Sequence, residues 1–259
     1  MESQETASAP QGQSEQEASS LGSRLMNVFA SPGEVFDELR RRPGTPTNWL
    51  VPVALAIVVG VVFCFVIFSQ PNIQQQIRDA QEKALSQKVQ EHKMSQDDMD
   101  KAMAGFEKIV VPIMKIGGSV GAIFITFVRL FWWGLVVWLL GRWALRVPFP
   151  YMKGVEAVGL TMMISVLGGL VSLLMIVSMG RINAGPTLAV TIDHFDVANK
   201  SHVALAAANL FNFWFVGVIA LGLAKLTNTS YGKAAVWTFG CWLAWEALLI
   251  ATGLGQMAM

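Results

Sequence analysis

The stretch IGGSVGAIFITFVRLFWWGLVVWLL, residues 116–140, decides the fold class of this chain. It is almost entirely apolar and carries one formally charged residue, Arg129, near its centre. About twenty apolar residues are enough for a helix to cross the hydrocarbon core of a bilayer. The stretch therefore predicts a transmembrane helix. Arg129 is expected to face protein or water, because an unpartnered charge in lipid is strongly unfavourable.

The composition of the whole chain agrees with a membrane protein. Of its 259 residues, 53% are hydrophobic and 14% are charged, and the mean hydropathy is +0.48. Soluble domains of this length are less apolar and richer in charge. Further apolar stretches at residues 49–68, 155–177, 203–223 and 234–254 predict four more spans. The expected fold is all-α, a polytopic membrane helical bundle with five transmembrane helices and its termini on opposite sides.

The sequence lacks the motifs of soluble catalytic centres. It contains no glycine-rich phosphate loop, no nucleophile motif and no HExxH pattern. Both cysteines, Cys64 and Cys241, fall inside predicted spans, which argues against a disulfide framework. We therefore expect no enzymatic activity, no catalytic residue, no cofactor and no nucleic-acid partner. The same holds for a metal, because the acidic and histidine side chains of the loop after the third span match no ligand spacing. Those loop residues are Asp193, His194, Asp196 and His202.

Two segments precede the membrane domain. Residues 1–20 are rich in Gln, Ser and Glu and predict a disordered tail. Residues 21–48 predict a cytoplasmic amphipathic helix and a linker. Ser31 and Glu34 form a capping-box pattern with proline at the first helical position, and the following apolar residues fall on one helix face. Residues 49–259 are expected to form the membrane domain.

The end of that amphipathic helix carries three consecutive arginines, Arg40, Arg41 and Arg42. Cations are favoured at a helix C-terminus, and an arginine cluster just before a span suits anionic headgroups. The cluster is therefore a candidate contact for lipid headgroups or for a protein partner. The alternative is a solvated helix whose arginines only set the orientation of the chain.

A polar loop at residues 69–115 separates the first two spans and is expected to be helical and extracytoplasmic. The spacing of Ile73, Ile77 and Ala84 predicts one helix, and the capping-box pattern from Ser95 to Asp98 predicts the start of another. The side of the N-terminus has more Lys and Arg close to span ends. By the positive-inside rule this predicts a cytoplasmic N-terminus and an extracytoplasmic C-terminus.

Four predicted spans carry a polar residue at a similar depth. Arg129, Ser165, Asn212 and Glu246 each lie about 18–20 Å from the cytoplasmic end of their helix, at about 1.5 Å of rise per residue. We expect Arg129 and Glu246 to form an intramembrane ion pair, with Ser165 and Asn212 supplying hydrogen bonds. Such a layer either fixes the register of the helices or lines a path for an ion or substrate. Near the start of the third span, Glu156 is expected to pair with Lys153.

Two stretches resemble a known family. They are SRLMNVFASPGEVFDELRRRP with the following WLVPVAL, and NLFNFWFVGVIALGLAKLTNTSYGKAAV at residues 209–236. The Ser31-Pro32 step and the Gly232-Lys233-Ala234 step resemble the bacterial branch of the Yip family, membrane proteins named for their interaction with Ypt/Rab-type GTPases. The resemblance implies a five-span membrane protein without generally attributed enzymatic activity, linked in eukaryotes to vesicle trafficking through protein partners.

The leading functional hypothesis is a non-enzymatic membrane scaffold or partner-binding protein in membrane organisation or trafficking. Its expected location is the bacterial inner membrane. Its expected partners are the lipid bilayer, an unidentified membrane or cytoplasmic protein and, in a homo-oligomer, further copies of itself. The competing hypothesis is a transporter or channel component that uses the layer at Arg129, Ser165, Asn212 and Glu246.

Overall fold

The computed structural model describes residues 19–105, 109–193, 195–196 and 199–253. Two short helices come first, α1 (Leu21–Ala30) and α2 (Pro32–Arg41), followed by the first long helix, α3 (Thr47–Ile67). The polar loop forms α4 (Pro71–Gln90) and α5 (Gln96–Gly105), and α6 (Val111–Leu139) ends in a π-helical turn, Leu140–Ala144. The remaining helices are α7 (Tyr151–Met179), α8 (Lys200–Ala207), α9 (Leu210–Thr227) and α10 (Tyr231–Thr252).

Five of these helices, α3, α6, α7, α9 and α10, are long and apolar enough to cross a membrane. This confirms the predicted all-α fold with five spans. No strand occurs in the described part of the chain, where the only β-type pairing is an isolated bridge between Thr187 and Asn209. We call the end of the bundle at which α3 begins the N-terminal end. The turn after α6 and the start of α10 lie at that same end because successive spans alternate in direction.

Helix α7 lies at the centre of the bundle and packs against α3, α6 and α9. The first part of α7 is enclosed on all sides, since every residue from Gly154 to Met162 is buried. Two close approaches depend on glycine. The space that a Cβ would need at Gly159 is taken by Trp49, and at Gly168 by the ring of Phe211. Trp49 therefore lies half-buried between helices, with its ring 5.9 Å from that of Phe131.

The polar loop is helical, and its ends are held by specific contacts. The hydroxyl of Ser95 accepts a hydrogen bond from the Asp98 amide at 3.1 Å and donates to the Asp98 carboxylate at 2.7 Å, as the capping pattern predicts. The start of α4 packs on the far ends of α3 and α7 through the buried Ile73. Ala84 is exposed, and the buried position near the end of α4 is Leu85 instead.

The fourth span begins later than predicted. Instead of one helix from residue 203, the chain forms the short α8 and breaks at Ala208 before α9 starts at Leu210. Asn209 caps α9, because its side chain accepts a hydrogen bond from the Phe211 amide at 2.8 Å. The amide of Leu210 donates to the Pro186 carbonyl at 3.0 Å. The preceding loop thus captures backbone groups that a continuous helix would use.

Replacing Asn209 with alanine is expected to lower the free energy of unfolding by about 1 kcal/mol, because the Phe211 amide loses its cap. Titration of the purified protein with a denaturing detergent would measure this. Asn209→Ser keeps a capping oxygen and should stay within a few tenths of a kcal/mol of the native chain. Equal stability of the alanine and native chains would show that the Asn209 cap does not stabilise the separation of α8 from α9.

Candidate functional site

The three candidate arginines lie at the end of α2, at the N-terminal end of the bundle. Arg40 and Arg41 are exposed and Arg42 is half-buried. The Arg41 side chain donates to the Asp37 carbonyl at 3.1 Å, and an Arg40 nitrogen lies 4.0 Å from the Asp37 carboxylate. The Arg42 guanidinium lies 3.0 Å from the Glu38 carboxylate. Two of the three arginine side chains are therefore exposed to the surroundings at the end of α2.

The apolar face of α2 is buried against the bundle and does not face lipid. Val35, Phe36 and Leu39 are all buried, and α2 lies along α9. The ring of Phe36 sits where Gly222 of α9 leaves room, within 3.4 Å of the position that a Cβ would occupy. Ser31 is the N-cap residue of α2 and Pro32 its first residue, but the Ser31 side chain makes no capping hydrogen bond. The predicted amphipathic helix exists, and the protein itself covers its apolar side.

A lysine from α7 binds the end of α2. The Lys153 ammonium donates to the carbonyl of Leu39 at 2.7 Å and to that of Arg42 at 2.5 Å. The last carbonyls of a helix have no partner within the helix, and a cation there also interacts favourably with the helix dipole. The expected pair between Lys153 and Glu156 is therefore wrong. Lys153 is bound by the free carbonyls of α2, which leaves Glu156 to bind other groups.

Glu156 binds the linker between α2 and α3. Its side chain is 2% exposed, and one carboxylate oxygen accepts from the Asn48 side chain at 2.7 Å and from the Thr45 amide at 3.1 Å. Gly44 passes so close to the other oxygen that a side chain at this position would force the carboxylate to move. A carboxylate this buried needs hydrogen-bond donors to offset its desolvation. The linker supplies them.

Further polar contacts complete the attachment of the two short helices. The Lys225 ammonium of α9 lies 2.5 Å from the Asp37 carboxylate. Glu38 lies 3.6 Å from Arg24 of α1 and also accepts a hydrogen bond from the Ser19 hydroxyl. We call the contacts of Lys153, Glu156 and Lys225 with the segment from Asp37 to Asn48 the clamp. It ties the N-terminal helix pair, α1 and α2, to two different membrane helices.

The clamp was not predicted from the sequence, although one part of its pattern is present there. Glu156 is the only acidic residue between Tyr151 and Met179, and a lone acid in a long apolar segment needs a partner. Lys153 is three positions away and looks like that partner on a helix surface. The true partners lie more than 100 residues away, at Thr45 and Asn48. No local spacing rule identifies them.

The structure brings part of the predicted polar layer together. Arg129 of α6 and Glu246 of α10 interact electrostatically, without a nitrogen–oxygen contact within 4.0 Å in the described part of the chain. The Arg129 guanidinium lies 4.9 Å from the centre of the Phe215 ring of α9. Glu246 accepts a hydrogen bond from the Trp242 indole at 3.0 Å. Each charge therefore has a partner, namely an aromatic face for Arg129 and an indole donor for Glu246.

The two uncharged residues of the layer, Ser165 and Asn212, do not make the hydrogen bonds expected of them in the described part of the chain. The Ser165 hydroxyl oxygen is buried and finds no hydrogen-bond partner among the described residues. Asn212 is half-buried one turn before Phe215 on α9. The hydrogen bonds expected from these two residues to the charged pair are not among those of the described chain. The layer as a functional unit stays a prediction.

Exchanging the two charges tests the electrostatic interaction. We expect Arg129→Met and Glu246→Gln each to lower the free energy of unfolding, with a coupling energy of about 1–2 kcal/mol in the double-mutant cycle. The exchange Arg129→Glu with Glu246→Arg should recover part of the loss. The measurement is denaturing-detergent titration of five chains, namely the native chain, the two single variants, their combination and the charge exchange. Strict additivity of the two single changes would show that the charges do not interact.

One continuous match to a known protein family includes both the clamp and the membrane bundle. The family model of the Yip1 domain matches residues 26–253, from within α1 to the residue after α10. The chain belongs to the Yip1-domain family. Neither a curated protein nor a solved structure matches it. The relationship to the Yip family that the two sequence stretches indicated is thus confirmed, while the assignment to its bacterial branch stays a prediction. The Yip1-domain family is not known as enzymatic.

Within this Yip1-domain protein, the described residues offer no group of three or more His, Cys, Asp or Glu side chains that could hold a metal ion. His194 lies outside the described residues. His202 accepts a hydrogen bond from the Asp196 amide at 3.0 Å, and Asp193 lies 3.8 Å from Arg181. The described side chains of this region therefore have protein partners, so the clamp at the opposite end is the stronger candidate site.

Proposed function

We propose that this Yip1-domain protein is a non-enzymatic membrane scaffold or partner-binding protein, acting in membrane organisation or trafficking. The observation that carries the proposal is the clamp, which holds a charged helix pair in a fixed position on the membrane bundle. The exposed arginines, Arg40 and Arg41, are the groups that we propose contact a partner protein or lipid headgroups.

The burial of the apolar face of α2 determines which surface of this helix is left to contact a partner or headgroups. Val35, Phe36 and Leu39 already pack inside the protein, so α2 has no apolar face left to insert into a membrane. Contact through α2 would then rest on its outer, polar side. Contacts between exposed charges act over distance and weaken with salt, because ions screen them. Partner capture through Arg40 and Arg41 should accordingly fall as the salt concentration rises.

The proposed setting is the bacterial inner membrane, with the N-terminus cytoplasmic and the C-terminus extracytoplasmic. The excess of Lys and Arg near span ends on the N-terminal side supports this orientation. We propose that the chain divides into a tail at 1–20, a cytoplasmic segment at 21–48 and a membrane domain at 49–259. Self-association into a homo-oligomer is compatible with the proposal.

Site-specific crosslinking in intact membranes tests the proposed partner-binding function. A photo-reactive residue is placed at Met26 or Glu34, both exposed on the N-terminal helix pair, and captured proteins are identified by mass spectrometry. We expect a reproducible protein partner that is lost from the chain carrying Arg40→Gln and Arg41→Gln. The matched control is Lys88→Gln with Lys93→Gln, which removes the same charge from the polar loop at the opposite end and should leave capture unchanged.

Two results would count against the proposal. One is the capture of lipid alone at both probe positions. The other is equal capture by the native chain and the chain without Arg40 and Arg41. A flux assay on the reconstituted protein, with and without Glu246, separates the scaffold from the competing transport hypothesis. A scaffold shows no flux in either case.

A further inference from the structure

Helix α10 is attached to the bundle mainly on one side. It packs along α9, but it touches α6 at few points, one of which is the ring contact between Trp132 and Trp245 at 5.2 Å. Two cavities lie along this seam between α6 and α10. A membrane helix whose side is left open in this way must have that side filled by lipid or protein.

The deeper cavity is apolar and has a volume of about 260 Å³. Four tryptophans form much of its wall, together with small or aliphatic side chains such as Ala244 and Leu248. Trp245 and Leu248 are also exposed on the outside of the bundle, so the cavity opens sideways. Flat aromatic walls and a lateral opening fit a hydrocarbon chain. The four tryptophans are Trp132, Trp133, Trp242 and Trp245.

The second cavity lies at the N-terminal end of the seam and has a volume of about 410 Å³. The π-helical turn after α6 and the first turns of α10 line it, including Leu145, Lys233 and Trp237. Lys233 is exposed, and so is Arg146, the residue after Leu145. Neither side chain forms an ion pair or hydrogen bond with the described part of the chain. No acidic residue occurs between residues 139 and 155 or between 224 and 245.

The separation of the two cavities matches one lipid leaflet. From Lys233 to Trp245 is twelve residues of α10, or about 18 Å along the helix at about 1.5 Å per residue. One leaflet contributes about half of the 30 Å hydrocarbon core. A lipid with its phosphate near Lys233 would therefore reach the tryptophan-lined cavity with the end of its acyl chain.

We propose that the seam between α6 and α10 binds one anionic phospholipid from the leaflet at the N-terminal end. Lys233 and Arg146 bind its phosphate, and an acyl chain lies among the four tryptophans. The unpaired positive charges favour an anionic headgroup, since nearby carboxylates that would bind the ammonium of a zwitterionic lipid are missing from both chain segments. This site differs from the arginine cluster of α2 and does not depend on a protein partner.

Native mass spectrometry of the full-length chain tests the site. The protein is stripped of lipid in detergent and titrated with phosphatidylglycerol or with phosphatidylcholine of the same acyl chains. We expect one phosphatidylglycerol per chain, bound about tenfold more tightly than phosphatidylcholine. The chain carrying Arg146→Gln and Lys233→Gln should bind phosphatidylglycerol about tenfold or more weakly, because each basic group near a phosphate adds to the attraction. The matched control, Lys88→Gln with Lys93→Gln, removes the same charge from exposed positions of the polar loop and should bind like the native chain.

The cavity is tested separately by Ala244→Trp, which fills it. This chain should lose the bound lipid while keeping both basic residues. Lipid that binds only the folded state raises the thermal midpoint, so phosphatidylglycerol should stabilise the native chain and not the filled one. Without lipid, the midpoint of the Arg146→Gln, Lys233→Gln chain should equal that of the native chain, because both side chains are exposed.

Four results of the binding and stability measurements would overturn the proposal. They are equal binding of the two lipids, unchanged binding without Arg146 and Lys233, a lower lipid-free midpoint of that chain, or unchanged binding by the Ala244→Trp chain. A protein dimer that Ala244→Trp dissociates would instead assign the seam to a second copy of the chain and would equally overturn it.

Discussion

Replacing Glu156 with alanine is expected to release the linker between α2 and α3 and to expose the N-terminal helix pair to protease. The change removes the acceptor of the Asn48 side chain and the Thr45 amide, and Asn48 is itself buried. Breaking a buried, hydrogen-bonded charged contact in this way is unfavourable by about 2–4 kcal/mol. If this free energy is lost from the docking of α1 and α2 on the bundle, the population of molecules with the helix pair detached rises by about 30-fold to several hundred-fold.

Limited trypsin digestion measures this release. Cleavage after Arg40 or Arg41 requires α2 to unfold or detach locally, and the rate then follows the population of the open form. The control is Glu34→Ala, which removes an exposed acid from the first turn of α2 and should change the stability by less than about 1 kcal/mol. A Glu156→Ala chain that folds and resists trypsin as well as the native chain would show that Glu156 does not hold the linker.

Replacing Phe36 with alanine is expected to have the largest effect of any single change in the N-terminal helix pair. The side chain is fully buried, and it fills the space above Gly222 on α9. Truncating a buried phenylalanine leaves a cavity and lowers the free energy of unfolding by about 3–5 kcal/mol. Because the clamp remains, we expect partial detachment of α2 with the spans still assembled.

The measurement combines trypsin digestion with detergent titration of the whole bundle. Phe36→Ala should accelerate digestion strongly and should shift the unfolding of the bundle less. The control is Phe124→Ala, since Phe124 is 69% exposed on α6. Its ring is expected to contact lipid in the assembled protein, so its removal leaves no internal cavity. Equal effects of the two changes on digestion would contradict the packing of Phe36 against α9.

The features that could be predicted from the sequence are those that local patterns encode. The five spans follow from the length and hydropathy of each segment, and the Ser95 cap follows from a four-residue pattern. The apolar face of α2 is also readable from helical spacing. Helix α1 was missed although Leu25, Val28 and Phe29 follow the same spacing and pack in the core.

The features that could not be predicted depend on contacts between distant segments. The break before α9 exists because Leu210 and Asn209 bond with a loop and a cap rather than continuing a helix, and no proline or glycine marks it. The partners of Lys153 and Glu156 are likewise set by where α2 docks. An amphipathic helix beside a span has the same pattern whether lipid, water or its own bundle covers it. Which of these covers the apolar face depends on how the whole chain packs, and not on the local sequence.

The clamp has a consequence for how the chain is made. Helix α2 is translated early, but Lys153 follows Leu39 by 114 residues and Lys225 follows Asp37 by 188. At a synthesis rate of about 5–20 residues per second, the groups that complete the clamp emerge about 10–40 seconds after α2. Throughout that interval the apolar face of α2 lacks α9, the span along which it packs in the folded protein. Helix α2 is therefore synthesised early and docked late, and we expect a chaperone or the membrane surface to cover its apolar face until α9 is inserted.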